Sequence, residues 1–187
     1  NTVDYGLADI EKILKIVTDL KSFSKEDETE YRQVNLHDLI EATLYVIHDD
    51  SKYDIEIEKQ FDEVLPQIKC FPSKLSQVFI NLLVNSAQAM EGKGLITIKT
   101  ERVKSMPRKG KPRVRITVID TGCGIPDDKL NQIFDPFYTT KSVKKGTGLG
   151  LSITYDIIKA HGGRITVRSK PGEGTTFFIT LPQSIDI

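Results

Sequence analysis

Three short clusters in this 187-residue sequence pair groups able to bind a ligand with groups that let the backbone approach it. The first is the run Gln77-Val78-Phe79-Ile80-Asn81-Leu82-Leu83-Val84-Asn85-Ser86-Ala87. Two carboxamides in an apolar helix cost propensity and desolvation unless they find partners. Their four-residue spacing stacks both on one side, so the pair reads equally as internal hydrogen bonding or as a ligand-facing pair. The second is Asp120-Thr121-Gly122-Cys123-Gly124-Ile125-Pro126, which follows an extended run. A carboxylate there can accept a hydrogen bond from an exocyclic amine, while the glycines let a flat ring reach the main chain. A tight turn with a capping Asp is the plainer reading. The third is Gly146-Thr147-Gly148-Leu149-Gly150-Leu151, preceded by Lys141, Lys144 and Lys145 and running into a helix. Amides freed at a helix N-terminus, with the dipole behind them, suit a phosphate; a flexible turn is the alternative. The second segment fits neither the dinucleotide fingerprint nor the GxxxxGK[ST] phosphate loop.

These clusters need a scaffold, and periodicity supplies one. Apolar residues at helical spacing predict helices over about 36–49, 73–91 and 151–161. Strands are predicted over about 55–61, 65–70, 95–103, 114–119, 164–169 and 175–181, after a short extended piece at 32–35. Segments 55–61 and 65–70 are expected to pair antiparallel, and 164–169 with 175–181 to form a hairpin. The fold class is therefore α+β: a two-layer sandwich whose mixed, mostly antiparallel sheet carries helices on one face. The glycine-rich stretch 120–150 is irregular, and a long loop inside a compact domain suits a lid.

Ahead of this domain, Ile10, Ile13, Val17 and Leu20 recur at a/d spacing, with Leu14, Ile16 and Phe23 beside them. Such a helix either packs on its own domain or forms half of a dimerising hairpin, and its broad stripe suits a four-helix bundle. The sequence opens at Asn1 within this helix, which suggests an excerpt of a longer protein. Residues 1–30 and 31–187 are thus expected to be two units.

Composition narrows the function. Twenty-six Lys and Arg offset 26 Asp and Glu, so nothing suggests bulk attachment to nucleic acid or an anionic membrane. The basic run 99–115 reads as a solvated hairpin because no aromatics interleave it. Cys70 and Cys123 form no CxxC or Cys/His cluster, which argues against disulfides or structural zinc and for a reducing cytosol. No apolar run is long enough to span a bilayer; membrane anchoring of a longer parent stays open.

In order along the chain, Asn81-Leu-Leu-Val-Asn85, Asp120-Thr-Gly-Cys-Gly124, Ile133-Phe-Asp-Pro-Phe-Tyr-Thr-Thr-Lys141 and Gly146-Thr-Gly-Leu-Gly-Leu151 resemble the N, G1, F and G2 boxes of sensor histidine kinases. Gly172-Glu-Gly-Thr-Thr-Phe-Phe-Ile-Thr-Leu-Pro182 matches as well, and the run 13–24 is similar to the second helix of the family's dimerisation and phosphoacceptor hairpin. The resemblance implies the Bergerat ATP-binding fold and ATP with Mg²⁺ as cofactors. It implies Asp120 on the adenine amine, helped by Thr175; Asn85 on the metal, supported by Asn81; and Gly122, Gly124 and Ile125 beside the nucleotide. Gly146, Thr147, Gly148, Leu149, Gly150 and Leu151 would line the phosphates, Lys141 would reach them, and Phe134, Phe137 and Tyr138 would anchor the lid.

The resemblance also implies transfer of the γ-phosphate to a histidine for relay to a response-regulator aspartate, and a homodimeric full-length protein. No His in the sequence sits in the expected phosphoacceptor motif. His37 reads as an exposed early-helix residue, and His48 and His161 as helix-end residues that favour the dipole. Two other readings compete: a related nucleotide-gated ATPase, disfavoured because Asn81 stands where those relatives carry a basic Glu, and a serine kinase or anti-sigma regulator of the same superfamily.

Overall fold

The computed structural model describes residues 30–48, 54–103, 112–139 and 147–184. The expected helix at the N-terminus, and Lys141, Lys144, Lys145 and Gly146, lie outside the described residues.

The chain enters through β1 (Arg32–Val34) and α1 (Leu36–His48), where the side chain of Asn35 accepts the His37 N–H at 3.0 Å and caps the helix. β2 (Asp54–Gln60), β3 (Ile68–Cys70) and α2 (Pro72–Ala89) follow, then the long strands β4 (Lys93–Val103) and β5 (Arg113–Asp120). A single 3₁₀ turn at Asp127–Lys129 interrupts the irregular stretch before α3 (Gly150–Ala160), and β6 (Arg164–Lys170) and β7 (Gly174–Pro182) close the domain. Pro72 opens α2, where its missing N–H costs nothing. Glu91 and Gly92 end the helix in left-handed conformations, with Gly92 N–H reaching Ala87 O at 3.1 Å.

The main sheet runs β2-β4-β5-β7-β6, parallel between β2 and β4 and antiparallel elsewhere. Register places Ile96, Ile98, Ile116, Val118, Phe177, Ile179 and Ile165 on one face, all buried. Leu75, Val78, Phe79, Leu82 and Leu83 of α2 complete the core against that face, with α1 and α3 flanking α2. The mixed sheet covered by helices agrees with the expectation, as does the β6–β7 hairpin.

The expected pairing of 55–61 with 65–70 does not form. β2 instead lies parallel to β4, which sets Ile57 beside Ile96, while β3 pairs antiparallel with β1 and its Lys69 N–H bonds Gln183 O at 2.9 Å. Alternation of Ile55 and Ile57 with Glu56 and Glu58 identifies a buried face but not the neighbouring strand.

Two histidine expectations also fail. His37 is half-buried: its ring stacks on Phe61 with centroids 4.4 Å apart, and Nε2 lies 2.9 Å from Thr100 Oγ1. His161 is buried and is held as a neutral ring, not as a cation favouring the dipole.

Candidate functional site

Asp120 is the last residue of β5, and register sets it between Ile96 and Thr175. It is 3% exposed, yet its carboxylate is well served. Oδ1 accepts the N–H groups of Gly122 (2.9 Å) and Thr175 (3.1 Å), and Oδ2 accepts the Ser86 hydroxyl at 3.1 Å. Burial raises its pKa above the ordinary carboxylate value, and these three hydrogen bonds oppose the rise. An ionised carboxylate accepts about four hydrogen bonds, so Oδ2 keeps room for one outside donor.

The loop after Asp120 is fixed by its own backbone. Thr121 N–H bonds Leu95 O (3.3 Å), Cys123 N–H bonds Ala89 O (3.0 Å), and Cys123 O accepts Gly172 N–H (2.8 Å). Ser169 Oγ accepts Ile125 N–H at 2.8 Å and donates to Gly174 O at 2.8 Å, with Thr175 Oγ1 3.0 Å away. A Cβ on Gly122 would sit 2.8 Å from that of Ala89, and one on Gly124, whose φ is +73°, would sit 2.1 Å from Lys170 O. Close approach of protein to protein therefore requires both glycines.

Asn81 and Asn85 share a side of α2, and both are half-buried. Asn81 Nδ2 donates to Gly150 O at 3.0 Å and lies 3.4 Å from Thr154 Oγ1, tying mid-α2 to the start of α3. Both of these bonds use the amide nitrogen, not Oδ1. Ser86, next to Asn85, carries the connection on to Asp120.

Before α3, Gly148 has φ +71°, and a Cβ there would lie 2.4 Å from the backbone of Phe137. Thr147 Oγ1 and Leu149 N–H are 3.4 Å apart, Leu149 is buried and Leu151 half-buried, so these leucines present backbone rather than side chain. Phe134 packs against Tyr155 (centroids 5.6 Å) and Tyr138 against the core. Phe137 departs from the expected anchoring role, because it is 70% exposed with φ +65° and makes its packing contact through its backbone.

Hydrogen bonds thus join Asp120 to Gly122, Thr175 and Ser86 of α2, Ile125 to Thr175 through Ser169, and Asn81 to Gly150 at the start of α3. Ser86 stood in the first cluster without a role of its own, and Ser169 was missed by the sequence reading. Ser86 carried a faint signal as a hydroxyl next to Asn85 in an otherwise apolar helix; Ser169 carried none, since its role depends on the β6–β7 register.

Residues 71–185 match the family described as histidine kinase-, DNA gyrase B-, and HSP90-like ATPase. The sensor histidine kinase ZraS of Salmonella typhi is 36% identical over 173 residues, covering 92% of this chain and 36% of that protein. The signal transduction histidine-protein kinase AtoS of Escherichia coli is 36% identical over 177 residues, covering 94% of this chain and 28% of its own length. The chain therefore spans well under half of these relatives. Among solved structures, the nucleotide-free catalytic domain of the histidine kinase ThkA superposes with a TM-score of 0.71 at 31% identity, over 83% of this chain and 97% of that one. ThkA in complex with the response regulator TrrA gives 0.73 at 29% identity, over 94% and 48%. With the family match spanning more than half the chain, and the fold and its glycine and amide clusters in the matching order, this chain belongs to the histidine kinase-, DNA gyrase B- and HSP90-like ATPase family.

Proposed function

We propose that the chain is the ATP- and magnesium-binding catalytic module of a sensor histidine kinase, preceded in residues 1–30 by the end of a dimerisation and phosphoacceptor helix. The observation that carries this reading is Asp120: a buried carboxylate organised by three protein donors, with acceptor capacity left on Oδ2. A purely structural Asp would be cheaper to replace by an apolar residue.

The residues fit the nucleotide and the metal. Asp120 accepts from the adenine amine, with Thr175 fixing its orientation. The turns around Gly122, Gly124 and Ile125 flank the base. Asn85 and the Oδ1 of Asn81 hold Mg²⁺ together with phosphate oxygens, a donor set suited to a hard cation that keeps several waters. Thr147 to Leu151 offer backbone amides leading into α3, and the resemblance adds Gly146 and the charge of Lys141 to the phosphates. Bound Mg²⁺ neutralises the charge of the phosphates during transfer, and the protein contributes mainly positioning. An amide at Asn81 cannot activate water, which supports phosphoryl transfer over rapid hydrolysis.

In the full-length protein we infer a homodimer whose phosphoacceptor helix receives the γ-phosphate and passes it to a response-regulator receiver domain, as the ThkA–TrrA complex suggests for a relative. His37 is engaged by Thr100 and His161 is enclosed, so neither suits the acceptor role. Among the described residues no helix is long and apolar enough to cross a membrane. On this reading the module works in the cytoplasm on protein partners. The test is nucleotide titration with and without Mg²⁺ on Asp120→Asn and Asn85→Ala: the first should lose adenine affinity, the second mainly the magnesium dependence. Labelled ATP should leave no stable phosphohistidine on this chain alone. Unchanged binding in both variants would refute the site.

A further inference from the structure

One buried titratable side chain outside the site joins two helices. His161 ends α3 and is 3% exposed. Its Nε2 accepts the Phe71 N–H at 3.1 Å, so the ring proton sits on Nδ1 and is donated to Ile157 O at 2.7 Å. Phe71 is the residue before Pro72 and has no side-chain cap of its own, so the imidazole satisfies a free donor at the start of α2, and it adds a second hydrogen bond to Ile157 O, which already accepts the His161 N–H at 3.1 Å. The rings reinforce the corner: Phe71 meets His161 edge-on at 5.7 Å, and Tyr31, at the start of the domain, packs on Phe71 at 5.1 Å.

The second tie between these helices is the bond from Asn81 Nδ2 to Gly150 O. Along α2 from Phe71 to Asn81, and along α3 from Gly150 to His161, the helical rise gives about 15 and 17 Å. α3 is thus clasped at both its ends, antiparallel to the first half of α2 and over a matched length. Sliding α3 along α2 would carry its first turn, with the backbone amides of 149–151, away from Asn81 and Asn85.

We propose that His161 is a positioning residue for the nucleotide site: its neutral imidazole sets the register of α3 on α2, and thereby the distance between the phosphate-facing first turn of α3 and the amides of Asn81 and Asn85. This rests on the ATP–magnesium reading above. Protonation of Nε2 would set an N–H against the Phe71 N–H and open the clasp. Burial lowers the His161 pKa, with the Ile157 carbonyl alone opposing; no charged side chain contributes, and the nearby Lys159 and Arg164 are exposed. The clasp is therefore closed at neutral pH.

The test compares His161→Phe, which fills the space without an acceptor, with His161→Gln, whose carboxamide can accept from Phe71 without titrating. Affinities for Mg-ATP and for adenosine, which has no phosphates, are measured by calorimetry below the unfolding midpoint of each variant. Loss of one buried hydrogen bond predicts Mg-ATP binding weakened about 5- to 10-fold in the Phe variant, with adenosine unchanged and most of the loss recovered by Gln. Hydrogen exchange at Ile153 and Thr154, the first amides bonded within α3, should quicken without nucleotide in the Phe variant and not in the Gln variant. Equal loss of Mg-ATP and adenosine without rescue, or unchanged exchange at Ile153 and Thr154 in a folded Phe variant, would overturn the proposal. If the wild-type chain fails to bind Mg-ATP, the nucleotide reading falls, and the exchange measurement still decides the clasp.

Discussion

Replacing Asp120 by Asn changes one atom and reverses one hydrogen-bonding direction. The carboxamide oxygen can stay at the Oδ1 position, where it keeps the N–H groups of Gly122 and Thr175 at 2.9 and 3.1 Å. The new NH₂ then replaces Oδ2, and the Ser86 hydroxyl, now 3.1 Å away as donor, turns to accept. The fold should tolerate this. Because burial raises the Asp120 pKa, its ionised form costs stability at neutral pH: the carboxyl's contribution is greatest below its unfolded pKa and is lost as pH rises through the folded one. The unfolding midpoint of the Asn variant at neutral pH should therefore equal or exceed that of the wild type. Binding should change sharply. A hydrogen bond to a charged group contributes about 1.5–3 kcal/mol, so losing it weakens ATP by about 10- to 150-fold. ITP, which carries an oxo group in place of the adenine amine, accepts from the new NH₂, so the ATP-to-ITP preference should fall or invert. ATP affinity of the wild type should also decline as pH drops through the folded Asp120 pKa, and that of the Asn variant should not. Calorimetric titration of both nucleotides reads all of this. Equal losses for ATP and ITP, with the fold intact, would refute the assigned contact.

Asn85→Ala should abolish most of the magnesium dependence of ATP binding. Asn81→Ala should lower the unfolding midpoint as well as that dependence, since it removes the tie to Gly150, worth about 1 kcal/mol. Gly124→Ala and Gly172→Ala both place Ala at positive φ, but the Cβ would meet Lys170 O at 2.1 Å in the first case and nothing within 4 Å in the second. Gly172→Ala should cost about 1 kcal/mol and Gly124→Ala clearly more, read as a larger fall in thermal midpoint. Burial lowers the pKa of both His37 and His161. Stability should hold above the ordinary imidazole pKa and decline as pH falls through the lowered folded values; His37→Gln should flatten part of that decline in urea titrations.

Sequence periodicity located the helices and strands within a residue or two, apart from β3, which begins three residues later than expected, because apolar spacing reports which face is buried. It did not report partners. Ile55 and Ile57 announce a strand, but β4 was chosen over β3 by contacts far along the chain, where Ile57 lies beside Ile96. His161 shows the same limit. As the residue before Gly162-Gly163 it looks like a solvated helix end, and only the packing of α2 against α3 places the Phe71 N–H over its Nε2.

The glycines have a role within the protein besides the one the sequence suggests. Read as a sequence, Gly122 and Gly124 make room for a ligand. In the fold Gly122 lies against Ala89, and a Cβ on Gly174, at φ +92°, would come within 2.0 Å of Asp120 O. The absence of side chains at 122 and 174 is what lets two backbone N–H groups converge on Oδ1, so that the carboxylate is oriented before any ligand arrives. A motif of this kind is read as binding because binding depends on it, but its direct physical role is to hold one buried charge in a fixed direction. Its loss should therefore appear first as a disordered Asp120, and only through that as lost affinity.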